Sequence, residues 1–147
     1  MTLRLTGPPP GVGTPRVDVR LLESRARRVL DQLGHARSEL SLSLVDDERI
    51  AELNAAWRNR DQPTDVLSFS LVDGEHASHR GRLLGDVVIG IEEAARQARR
   101  RHRGLNETVA QLLIHGVLHL LGHDHERSAD ARVMRAEERR IWQVVRS

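Results

Sequence analysis

The sequence predicts an α+β fold: a single domain over residues 1–147, with a small mixed sheet of three to four strands packed by about five helices around a central buried helix that carries histidines. Three observations predict it. Segments with helical periodicity are interspersed with short period-two segments, so helix and sheet share one chain. Two strand segments, VLSFSLV and LLGDVVIG, are separated by a turn-like stretch, which favours a hairpin over a doubly wound parallel sheet. The segment VAQLLIHGVLHLL (Val109 to Leu121) is apolar almost all round, the composition of a helix enclosed by the rest of a domain.

The elements follow in order. LRL opens a short strand, and GPPPGVGTP (Gly7 to Pro15) is an extended loop, since proline lacks the N–H that a helix or inner strand needs. Leu21 to Leu33 has helical periodicity and stops at Gly34. Glu39 to Val45 alternates apolar and polar side chains, as a half-buried strand does. A helix capped by Asp46 or Asp47 runs through Trp57, and Pro63 keeps RNRDQPTD from continuing it. Val66 to Val72 is a strand, DGEHASHRGR a turn, and LLGDVVIG a strand interrupted by Gly85 and Asp86. Ile91 to Arg103 is a helix with Glu92 and Glu93 at its start and arginines at its end, a charge order that suits the helix dipole. Asn106 caps the next helix, which ends near Gly122, and a last helix spans Ser128 to Val145.

Composition narrows the chemistry. Cysteine is absent, which excludes disulfides, zinc ribbons and iron–sulfur clusters and leaves His and carboxylates as the available metal ligands. With one Phe, two Trp and no Tyr, the core must be built from Leu, Val, Ile and Ala. No apolar run reaches the roughly 20 residues of a membrane helix, and the opening MTLRLTGPPPG lacks the apolar stretch of a signal peptide, so a cytoplasmic protein is expected. All 23 basic residues are Arg, yet net charge is only +2, which by itself names no partner.

Within the apolar helix only Gln111, His115 and His119 are polar. Their spacing of four stacks them on one stripe, and polar groups on a buried stripe require partners. Two imidazoles one turn apart are a natural pair of metal ligands, and Gly122 lets the chain turn back so that His125 can reach the same point. Three neutral imidazoles with a fourth position left for water describe a catalytic zinc site holding one ion per chain. His123 is open between facing solvent, supporting a ligand, and serving as a fourth ligand, which would make the site structural. The pattern H-x-x-x-H-x-x-G-x-x-H has the spacing of the metzincin proteases, but Gly116 stands where they place the Glu that acts as general base.

HGVLHLLGHDH (His115 to His125), together with LNAAWRNRDQPTDVLSF (Leu53 to Phe69) and LGDVVIG (Leu84 to Gly90), resembles the YbeY-type endoribonuclease family of bacterial ribosomal RNA maturation factors. The blocks occur in that family's order and span about half the chain. The resemblance implies a metal-dependent, single-strand-specific endoribonuclease that matures the 3′ end of small-subunit ribosomal RNA and supports ribosome quality control. It implies that His115, His119 and His125 bind zinc and that Arg58 is the functional arginine, catalytic with His115 and in contact with substrate. Partners would be single-stranded ribosomal RNA and small-subunit ribosomal proteins, with neither DNA nor membrane. His123 stands where the family usually has Tyr, and Ser70 where it commonly has Pro. Asp65, Asp86 and Asp124 are open between orienting ligand histidines and plain turn or capping duty. The arginines from Arg96 to Arg103 are open between lining an RNA backbone and completing a solvated helix end. The competing readings are a non-catalytic ribosome-assembly module with structural zinc and a metzincin-like hydrolase, for which Glu126 is the nearest carboxylate base.

Overall fold

The computed structural model describes residues 2–58, 64–70, 83–123 and 127–147, with Thr2 and Arg58 described as backbone only. The chain runs β1 (Thr2–Thr6), α1 (Val19–Gln32), β2 (Glu39–Val45), α2 (Asp47–Arg58), β3 (Val66–Ser70), β4 (Leu83–Gly90), α3 (Ile91–Arg100), α4 (Leu105–Leu120) and α5 (Ser128–Val145). The strands form one sheet in the order β1-β2-β4-β3, with β1, β2 and β4 parallel and β3 antiparallel to β4. This is the mixed sheet and five-helix arrangement that the sequence predicts, and α4 lies at its centre, touching β3, β4, α1, α3 and α5.

Periodicity explains the layers. Leu40, Leu42 and Leu44 alternate along β2 and are buried with Leu22, Ala26, Val29 and Leu30 of α1 and the apolar side chains of α4. On the other sheet face, Ile50 of α2 packs with Leu67 and Val88. Among the described residues the largest fully buried side chains are all Leu or Ile, as the composition requires.

α4 meets the sheet at its backbone. A Cβ built on Gly116 would lie 2.8 Å from Val87 Cγ1 and 3.1 Å from Ser68 Oγ, so any side chain there would push helix and sheet apart. Ser68 Oγ donates to the Gly116 carbonyl (2.9 Å) and Ser70 Oγ to the Leu120 carbonyl (3.0 Å). Serines two apart on one strand face thus reach carbonyls one turn apart on the helix.

Several boundaries differ from expectation. α1 begins at Val19 because the Asp18 carboxylate accepts the Leu21 N–H, two residues ahead of where the apolar period starts. Asn106 does not cap α4, whose N-cap is Gly104; its Oδ1 instead accepts the Asp18 N–H (2.8 Å) and joins the N-termini of α1 and α4. Gly85 and Asp86 do not interrupt β4: the strand absorbs Gly85 (φ 152°) as a register shift against β2. A Cβ at Gly85 would collide with the Phe69 carbonyl oxygen. The helix expected to reach Arg103 closes at Arg100, with His102 in the left-handed region (φ 53°). The turn from Asp73 to Arg82 and the expected strand end at Leu71 and Val72 lie outside the described residues. Among the described residues no helix is long and apolar enough to cross a membrane.

Candidate metal centre and the adjoining cleft

The four-residue spacing on α4 does what it predicts. His115 and His119 present their Nε2 atoms to one another at 3.2 Å, with ring centroids 4.7 Å apart and planes at 73°. Two nitrogens at 2.0–2.1 Å from a tetrahedral zinc are about 3.3 Å apart, so this pair fits two corners of such a site. His115 Nδ1–H donates to Glu138 Oε1 of α5 (3.1 Å), which leaves Nε2 with its lone pair directed toward His119. The side chains of His115 and Glu138 are each 29% exposed.

Glu138 escaped the sequence reading. Ala131, Met134, Ile141 and Val145 form the buried stripe of α5, and Glu138 falls on that stripe at the same three-and-four spacing. A carboxylate inside an apolar stripe is the signal that could have found it.

Gly122 (φ 95°) ends α4 in a Schellman turn: its N–H bonds the His119 carbonyl and the His123 N–H bonds the Leu118 carbonyl, each at 3.0 Å. The helix therefore ends at the glycine, as the sequence predicts. His125 lies outside the described residues, with Asp124 and Glu126, and so does the side chain of Arg58, the last residue of α2. Among the described residues no third His, Asp or Glu, His123 included, joins His115 and His119 in a metal-holding group. The His123 imidazole instead acts on Glu137, whose carboxyl is lowered chiefly by the hydrogen bond from Arg140 and further by the charges of Arg140 and His123.

The remaining sequence candidates separate. Among the described residues Asp65 bonds no histidine: Oδ1 accepts the Val66 N–H and Oδ2 accepts from Gln97 Nε2, both at 2.8 Å, tying the start of β3 to α3. Asp86 pairs with Phe69 on the sheet face that holds Leu67 and Val88, the face turned away from α4. Gly116, at the position of the metzincin Glu, points into the sheet. Trp57 is 70% exposed and meets Phe69 edge-on (5.7 Å), whereas Trp142 lies beneath the Arg25 guanidinium (5.1 Å).

A cleft of about 390 Å³ adjoins His115. Gln111 and His115 of α4 lie on its floor, with Arg101 and Arg103 on one side and Arg135 and Arg139 of α5 on the other. The arginine run is thereby divided. Arg96 bonds Asp47 and Glu93, and Arg100 bonds Glu93, at 2.8–3.0 Å. Burial pushes the Glu93 carboxyl up, but the hydrogen bonds and charges of Arg96 and Arg100 outweigh it and hold the group below its ordinary value. Arg101 and Arg103 turn to the cleft instead.

Known proteins share both fold and sequence. The family model described as Endoribonuclease YbeY matches residues 14–146. Proteins named Endoribonuclease YbeY include one from Anaeromyxobacter sp., 47% identical over 138 residues that make up 94% of this chain and 69% of that protein. Another, from Persephonella marina, is 40% identical over 92% of this chain and 89% of its own length. The chain spans less than half of the Myxococcus xanthus protein of that name, 44% of its length at 50% identity. A Thermotoga maritima protein solved in solution has the same fold, with a TM-score of 0.61 over 99% of this chain and 92% of its own at 24% identity.

Proposed function

The chain belongs to the YbeY endoribonuclease family, and from that premise we propose that it is a zinc-dependent endoribonuclease acting on single-stranded regions of ribosomal RNA, in 3′-end maturation of the small-subunit RNA and in ribosome quality control. The observation that carries the metal part of the proposal is the convergence of His115 Nε2 and His119 Nε2 with the far nitrogen of His115 held by Glu138. His115, His119 and, from the sequence, His125 would hold one zinc ion. When bound, zinc supplies a positive charge that polarises a phosphoryl oxygen and lowers the pKa of bound water to about 7.

The protein's own groups do the rest. The seating of α4 on β3, through Gly116, Ser68 and Ser70, keeps both imidazoles aligned without cost at the moment of reaction. Arg58, a permanent cation at the end of α2, would grip the phosphate whose equatorial oxygens gain charge as the ester breaks. Small-subunit ribosomal proteins are the further partners, and the cytoplasm the compartment, that go with this role. A metzincin-like hydrolysis has no base at its usual position, because the residue after His115 is a glycine seated against Val87 and Ser68.

Metal analysis paired with incubation on precursor and mature ribosomal RNA tests the proposal. Wild-type protein should carry one zinc per chain and cut; His115→Ala should lose zinc and cleavage together. Arg58→Ala should keep zinc while cleavage falls roughly 10²-fold. Protein with full zinc that leaves both RNAs intact would overturn the nuclease reading.

A further inference from the structure

Some arginines of the helices are neutralised by carboxylates, and those around the cleft are not among them. Arg49, Arg96, Arg100 and Arg140 each sit against a carboxylate at 2.7–3.0 Å. Among the described residues, the side chains of Arg101, Arg135 and Arg139 have no ion-pair or hydrogen-bond partner, and Arg103 donates to the neutral Gln111 Oε1 (3.0 Å). Arg135 and Arg139 stand one turn apart on α5, where like charges repel. The two carboxylates that reach the cleft are engaged elsewhere: Asp65 with the Val66 N–H and Gln97, Glu138 with His115. Four guanidinium groups thus flank one space of about 390 Å³ whose nearby acids already have partners.

The floor gives this space a direction. Thr108, Gln111 and His115 lie along one stripe of α4, about 10 Å from end to end by helical rise. The cleft is therefore a short channel from the N-terminal end of α4 to the imidazole of His115.

We propose that this channel is the path of a single-stranded RNA backbone, in which the two arginine pairs hold phosphates leading up to the one to be cut. Guanidinium groups fork onto phosphate oxygens, and arginines from both α5 and the α3–α4 connection line this one space beside His115. Contact through phosphate makes such a channel indifferent to base. The proposal rests on the endoribonuclease reading and names where that substrate lies.

The test is binding without cleavage. A fluorescein-labelled oligouridylate of about a dozen nucleotides is titrated with EDTA-treated protein at several KCl concentrations, and the slope of log K against log salt is read. Four phosphates on a single strand give a slope near −2.8. The double variants Arg101→Gln/Arg103→Gln and Arg135→Gln/Arg139→Gln should each flatten it by about 1.4. Arg20→Gln/Arg27→Gln, on the exposed face of α1, removes the same charge away from the channel and should leave the slope as it is. Equal slopes for cleft and control variants, or equal competition by a duplex of the same length, would overturn the channel. If the slopes shift as stated but zinc-loaded protein never cuts, the channel stands and the nuclease reading falls; cleavage with unmoved slopes does the reverse.

Discussion

At the scale of single residues, Glu138 has the sharpest expected effect. Its carboxylate accepts the Nδ1–H of His115 from a separate helix, so it sets which nitrogen of that ring faces His119. Glu138→Ala should weaken zinc affinity by about 10–100-fold, read by competition with a chelator, while Glu138→Gln, whose amide oxygen still accepts the N–H, should retain most of it. Equal losses in both variants would mean that Glu138 does not act by orienting the ring. His115 and His119 were legible in the sequence because their spacing of four is a local geometric statement. Glu138 was not, since its partner lies 23 residues away on another helix and only the fold brings the two together. The same holds for Asp65, whose bond to Gln97 depends on how β3 meets α3.

At the scale of elements, helix ends show where composition speaks and where it is silent. Gly34 and Gly122 mark the ends of α1 and α4 and take the positive φ that such turns demand. α3 closes in the same Schellman pattern, with the His102 N–H on the Arg99 carbonyl and the Arg103 N–H on the Ala98 carbonyl, but with a histidine in the left-handed position. A side chain there carries a steric cost that glycine does not, and with no glycine at that point the stop was not legible in the sequence. His102→Gly should raise unfolding stability by up to about 1 kcal/mol, measured by urea denaturation. A drop would show that the His102 side chain contributes more than its backbone costs. Asn106 illustrates the opposite error: a good capping residue one position inside a helix is recruited by the neighbouring helix through Asp18.

At the scale of the whole molecule, the aliphatic core, the mixed sheet and the central α4 were all readable from periodicity and from the shortage of aromatic residues. Which helix covers which sheet face was not, because it depends on contacts between distant segments. One such contact is the surface network in which Arg96 links Asp47 of α2 to Glu93 of α3. Glu93 and Glu137 are held below their ordinary carboxyl value of 4.5, so their pairs stabilise the fold above that pH and cease to do so as pH falls through the lowered values. Thermal stability should therefore decline below about pH 4.5, and Glu93→Gln should flatten the decline, modestly and less so in high salt, since these partners are partly exposed. An identical pH profile for the variant would remove the network from the stability balance. The contact of Gly116 with the sheet also bears on what this scaffold can become. A step of one residue along a helix is a rotation of about 100°, so the position after His115 is committed to the sheet for as long as α4 rests on it. A glutamate at 116, the change that would write HExxH into this helix, would drive its side chain against Val87 and Ser68 and not toward the imidazoles. The close seating of the helix thus leaves the histidine pair without a protease's carboxylate at the next position.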